Sequence, residues 1–72
     1  MYLPKNLKYF RIKNGFSQPD IAKRFGYKNY TTVQKWESGV AEPPLKVVYE
    51  LSKMYGVDMN DLIEIKFYDD KI

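Results

Sequence analysis

Four glycines, at positions 15, 26, 39 and 56, punctuate this 72-residue chain at intervals of 11, 13 and 17 residues. Each closes a stretch whose apolar residues recur at helical rather than alternating spacing. Glycine is favoured just past a helix because that position often takes the left-handed backbone conformation, which costs other residues about 1 kcal/mol or more. The glycines therefore read as helix stops, and counting them counts helices. A chain of this length has room for one core, so the segments must pack together as one all-α unit.

Leu3, Leu7 and Phe10 fall at i, i+4 and i+7, which predicts a first helix from about Asn6 to Asn14 with Pro4 ahead of it. Ser17 with Asp20 three residues on forms a capping-box pattern, and Pro19 suits a first turn, so a second helix is predicted over Gln18 to Phe25. Its inward face is Ile21, Ala22 and Phe25. Asn29 is the expected cap of a third helix, reaching Trp36 to Ser38. The Val-Ala-Glu-Pro-Pro stretch at 40 to 44 then makes a loop. A fourth helix starts near Pro44 with Leu45, Val48, Leu51 and Tyr55 as its stripe, and Asp58 caps a fifth holding Met59, Leu62 and Ile63. Phe10, Phe16 and Phe25 stand at core spacing; Tyr27 and Tyr55 are expected half-buried and Tyr9, Tyr49 and Tyr68 exposed. Residues 1–63 read as one domain. Residues 64–72 read as a tail, a dimerisation segment or linker, because Ile63, Ile65 and Phe67 alternate with polar neighbours as an extended segment does.

Composition removes several function classes. The chain has no cysteine and no histidine, so it lacks thiolate chemistry, the commonest metal ligand and the side chain that titrates nearest neutrality. It contains neither a G-x-G-x-x-G nor a Walker stretch, and Asp58, Asp61 and Glu64 match no calcium-loop spacing. The expectation is a non-enzyme with no metal and no cofactor. No apolar run approaches the roughly 18 to 20 residues of a bilayer span and no basic-then-apolar leader opens the chain, which points to a cytoplasmic location and no membrane partner.

Charge is distributed unevenly. Residues 1 to 36 carry eight Lys/Arg against Asp20 alone, +7, whereas residues 37 to 72 carry four Lys/Arg against eight acids, −4. A basic half of this kind suits a polyanion. The third helix supplies an element that can read one. With Tyr30 at 0° and about 100° per residue, Gln34, Thr31 and Lys35 fall near 40°, 100° and 140°, while Trp36 and Val33 fall near 240° and 300°. One arc is wholly hydrogen-bonding and the opposite flank is apolar. A short helix, a tight turn at Gly26 and a second helix of this kind form the arrangement that lays its second helix in a major groove.

The chain resembles the helix-turn-helix domains of phage repressors and Cro proteins, including the 434 and lambda repressors, and their bacterial xenobiotic-response-element relatives. The resemblance rests on Leu-Lys-Tyr-Phe-Arg at 7–11, Phe-Ser-Gln at 16–18, Asp-Ile-Ala-Lys-Arg-Phe-Gly at 20–26, Thr-Val-Gln-Lys-Trp-Glu-Ser-Gly at 32–39, and Gly-Val-Asp-Met-Asn-Asp-Leu-Ile at 56–63. It implies a compact five-helix, lambda-repressor-like bundle that binds operator DNA as a transcriptional repressor of phage or mobile-element type. It also implies roles for individual residues. Base contacts fall to Tyr30, Thr31, Gln34 and Lys35. Phosphate contacts fall to Ser17, Gln18, Lys28, Asn29, Thr32 and Ser38. Arg11 and Glu37 match a partly buried ion pair that ties the first helix to the third.

Three features depart from the family pattern. Gly26 to Trp36 is one residue longer, Val40, Ala41 and Glu42 replace basic loop residues, and the sequence stops before any self-cleaving domain. The expected working form is a homodimer on a two-fold site. A protein antagonist or a missing C-terminal domain is the other partner the resemblance allows, and a protein-interaction module on the same fold, such as an antitoxin, is the alternative reading.

Overall fold

The computed structural model describes residues 1–70, so Lys71 and Ile72 of the predicted tail lie outside the described residues. The described chain is all-helical, with α1 (Leu3–Lys13), α2 (Gln18–Arg24), α3 (Thr31–Ser38), α4 (Leu45–Tyr55) and α5 (Met59–Glu64). All four glycines adopt φ between +67° and +80°, as helix stops require. At Gly39 the positive φ alone is the constraint, since a Cβ there would only touch the Pro4 ring at an ordinary 3.7 Å.

Most boundaries follow from local chemistry. Ser17 Oγ accepts from the Asp20 amide at 3.1 Å and the Asp20 carboxylate accepts from the Ser17 amide at 2.8 Å, closing the predicted capping box. Asp58 accepts from the Asn60 amide at 2.8 Å and opens α5. Two starts differ from expectation. α1 begins at Leu3 rather than Asn6, because Pro4 sits in the first turn, where its missing N–H is no loss. The N-cap of α3 is Tyr30 rather than Asn29; the extra residue in the turn moves the helix entry on by one. Asn29 Oδ1 instead accepts from the Thr31 amide at 3.0 Å.

α1 packs most extensively on α3 and also meets α5, while α2 lies on α3 and α4 on α5. The core gathers Leu3, Leu7 and Phe10 of α1, Ile21 and Ala22 of α2, Val33 and Trp36 of α3, and Val47, Val48, Leu51 and Tyr55 of α4. Leu62 of α5, fully buried, completes it. Phe10 stacks on Tyr55 at 6.0 Å and meets Phe67 edge-on at 4.9 Å. Phe25 is half-buried against this cluster rather than inside it. Tyr55 is buried outright, and Tyr9 and Tyr68 are half-buried rather than exposed.

Two predicted core residues are outside. Leu45 is 71% exposed: the buried arc of α4 centres between Leu51 and Tyr55, and Leu45 lies about 90° from that centre, so Val47 takes the inner position. Phe16 is 37% exposed because it stands in the α1–α2 connection, off any helix face.

The stretch after α5 contains no strand among the described residues. It folds back on α1 as a strap whose root is a fully buried amide. Asn6 Nδ2 donates to the Leu62 and Ile65 carbonyls at 2.8 and 2.6 Å, and its Oδ1 accepts from the Phe67 amide at 3.0 Å. Tyr2 N–H adds a bond to the Ile63 carbonyl at 3.2 Å.

Truncating Asn6 to alanine strands all three partners, so Asn6→Ala should cost about 2 to 4 kcal/mol in urea unfolding followed through Trp36; a loss under about 1 kcal/mol would show that the amide is not the strap's root. In the capping box, bonds from the Ser17 amide and then its hydroxyl hold the Asp20 carboxyl below 3.8. That contribution to stability is complete above pH 3.8 and is lost as pH falls through the lowered value. Ser17→Ala keeps the amide bond, so it should return the Asp20 titration midpoint only part of the way, read by carboxyl-carbon NMR.

Candidate nucleic-acid interface

An eight-residue helix is too short to hold itself in water, so the orientation of α3 comes from what it packs against. Val33 and Trp36 are 1% and 3% exposed, and Trp36 meets Tyr27 edge-on at 5.6 Å. This inner flank leaves Thr31, Gln34 and Lys35 exposed on the outside. Thr31, Gln34, Lys35 and Ser38 line one open groove together with Gln18 from α2, Lys8 from α1, and Glu37. Three helices thus meet at a surface rich in amide and hydroxyl groups.

Glu37 joins that groove to the predicted ion pair. Arg11 Nε donates to Glu37 Oε2 at 2.7 Å and Arg11 Nη2 to Oε1 at 3.1 Å, a bidentate pair in which both residues are at least nine-tenths buried. Arg11 Nη1 donates to the Phe16 carbonyl at 2.9 Å, which fixes the α1–α2 connection. Gln18 Nε2 donates to Glu37 Oε1 at 3.0 Å. One carboxylate therefore joins side chains from α1, α2 and α3. Tyr55 packs near the pair. Burial pushes its hydroxyl well above the ordinary tyrosine value, the Glu37 charge adds to the rise, and Arg11 opposes it.

The other predicted site residues fall around this centre. Ser17 is exposed beside Gln18, its hydroxyl engaged in the α2 cap. Ser38 is exposed at the far end of α3, its hydroxyl donating to the Lys35 carbonyl at 3.3 Å. Lys28 and Asn29 are exposed in the turn, and Tyr30, 44% exposed, stands at the helix entry. Thr32 is half-buried, on the flank between the outer arc and the core. The bond from Gln18 to Glu37 uses one of two amide hydrogens, so Gln18 both braces the groove and retains a donor.

Lys8 is the groove residue that sequence reasoning missed. A signal for it exists. Lys8 precedes Arg11 by three residues, so the pairing of Arg11 with Glu37 turns the Lys8 face of α1 toward α3 as well. Among the described residues no three acidic side chains gather in a cluster suited to a metal ion, and no helix is long and apolar enough to cross a membrane.

Comparison with known proteins agrees with this geometry. A family model described as helix-turn-helix matches residues 7–62. The chain is 32% identical over 60 residues to an uncharacterized HTH-type transcriptional regulator of Methanocaldococcus jannaschii, covering 83% of this chain and 89% of that protein. Two uncharacterized HTH-type transcriptional regulators of Archaeoglobus fulgidus are 29% identical over 65 residues and 32% identical over 56 residues. The first pairing covers 90% of this chain and 87% of its relative, the second 78% of each.

The buried pair generates a stability test. Arg11→Ala or Glu37→Ala alone should cost about 3 to 5 kcal/mol, because each leaves an uncompensated buried charge, whereas Arg11→Met combined with Glu37→Leu should recover most of that loss. Thermal unfolding of the three variants checks it; equal losses in single and double variants would mean that packing, not charge pairing, sets the cost.

Proposed function

The chain belongs to the helix-turn-helix family, and from that premise we propose that it is a sequence-specific double-stranded DNA-binding transcriptional regulator. In its finer form the reading is a repressor, of the Cro or repressor N-terminal type known from phages and mobile elements, that acts by occupying operator DNA. The observation that carries it is the exposed arc of Thr31, Gln34 and Lys35 on a helix whose opposite flank is locked into the core. A major groove admits such a helix, and these side chains match base edges: amide and ammonium groups donate or accept, and the threonine methyl suits thymine. Tyr30 stands at the leading end. Ser17, Gln18, Lys28, Asn29, Thr32 and Ser38 surround the arc, where groups that bind phosphate and set register belong.

Residues 1–63 act as one reading unit, with 64–72 as its tail. One such unit spans about half an operator, so a homodimer on a two-fold site, with half-sites about one helical turn apart, is the working form. The loop residues Val40, Ala41 and Glu42 bring no cation, so backbone amides supply any phosphate contact there.

Selection from random duplex DNA should recover a shared motif. Thr31→Ala with Lys35→Ala should lower affinity for it by about 100-fold and remove the preference over random duplex, while Tm stays within about 3 °C, as for surface substitutions. Affinity should fall with salt at a slope of about −0.9 for each phosphate contacted. Recovery of no motif, or binding indifferent to salt, would turn the assignment to a protein partner on the same fold.

A further inference from the structure

Among the described residues the strap runs from Phe67 to two carboxylates, Asp69 and Asp70, with Lys71 next in sequence, and Asp69 shares a depression with Lys5 and Lys8 of α1. Lys5 and Lys8 are three residues apart and share one face of that helix. Lys8 lines the groove with Thr31, Gln34 and Lys35. On its other side, Lys8 lines a second depression with Lys5, Tyr9, Tyr68 and Asp69. The Glu37 side chain borders both, its charge already matched by Arg11. The two hollows are therefore neighbours that share a wall, one facing the base-reading arc and the other filled at its edge by the tail.

The tail engages Lys5 directly, and Tyr68 and Asp69 border the same depression as Lys8. Lys5 Nζ lies 5.4 Å from the Tyr68 ring centroid, with Lys66 Nζ at 5.3 Å from the same ring. Asp70 accepts from Lys66, and this bond first, with Lys5 in addition, holds the Asp70 carboxyl below the usual carboxylate range. The root and tip are held very differently. The root is pinned by the buried Asn6 amide and by Phe67 against Phe10, whereas Asp69 and Asp70 are exposed. Contacts of that exposed kind break readily, so the tip can lift while the root stays fixed.

Resting on the DNA-binding reading above, we propose that Lys5 and Lys8 form a phosphate-binding edge flanking the reading groove, and that Tyr68–Asp70 occupies this edge in the free protein, so that tail docking and DNA backbone compete for the same two cations. A phosphodiester approaching α3 from the α1 side meets Lys8 with Asp69 in the same depression, and then Lys5 with Asp70 near it. The tail then acts as an electrostatic brake that sets how tightly any duplex is held, without touching a base.

The test compares four forms of the full chain by fluorescence anisotropy, using the selected duplex and a scrambled duplex of equal length. Asp69→Asn with Asp70→Asn should raise affinity for both duplexes about three- to tenfold at low salt, the gain shrinking as added salt shortens the Debye length below about 10 Å. Asp61→Asn with Glu64→Gln removes two exposed charges from α5 and should give less than half that gain. Lys5→Ala with Lys8→Ala should weaken binding, and adding the tail substitutions to it should change affinity by less than about 1.5-fold. An equal gain from the α5 control, full persistence of the tail effect without the lysines, or unchanged binding on removing the lysines overturns the brake while leaving DNA binding intact. Absence of duplex binding by every form overturns both readings.

Discussion

The Glu37 carboxylate is the joint on which the functional surface hangs. Hydrophobic contact brings α3 to α1 and α2, but burial of Val33 and Trp36 is non-directional and tolerates rotation of a short helix about its axis. Rotation by one residue, about 100°, moves Lys35 out of the groove and puts a polar side chain toward the core. The bidentate bonds from Arg11 and the third from Gln18 are directional, and they converge on one residue of α3. Charged hydrogen bonds of this geometry fix both the azimuth of α3 and its height along α1. The pair is costly to bury, so its contribution lies in selecting one arrangement of three helices rather than in net stability.

This joint also explains why the groove is polar throughout yet not strongly cationic. Arg11 contributes its charge to Glu37 and not to the surface, and Gln18 spends one donor inward. What remains outside is Lys35 and Lys8 with neutral amide and hydroxyl groups. Such a surface distinguishes partners by hydrogen-bond pattern more than by charge. On the proposed reading, such a surface gains discrimination at base edges and relies on residues around the rim for grip.

Much of this was legible from residue type and spacing because the deciding physics was local. Four glycines with positive φ ended four helices, the Ser17 and Asp20 pair capped α2 as its spacing required, and the outer and inner flanks of α3 separated as a 100° step dictates. The Arg11–Glu37 pair came from resemblance, not from local pattern, since nothing local joins residues 26 apart in sequence. What escaped was set by tertiary geometry. Leu45 has the right period for the core and the wrong azimuth, which depends on how α4 tilts against its neighbours. Phe16 looks like core because it is aromatic, but no helix carries it inward. Asn6 reads as an ordinary polar position on α1, and its role appears only when the chain after α5 returns to place two carbonyls and an amide around it.

That return alters what the charge count means. Dividing the chain into a basic first half and an acidic second half treats sequence separation as spatial separation. The strap breaks that equivalence by carrying Asp69 and Asp70 back onto α1, where Lys5 and Lys8 stand. The field at the groove is then weaker than +7 implies, because part of the acidic half lies within a Debye length of the basic one. Weak general attraction is no defect in a regulator that must ignore most of the duplex it meets. Every cation that grips phosphate tightens binding to all sequences alike, so specificity rises when base-edge contacts supply a larger share of the total. In the proposed competition, Asp69 and Asp70 on the basic edge shift that share without changing a residue on the outer arc of α3.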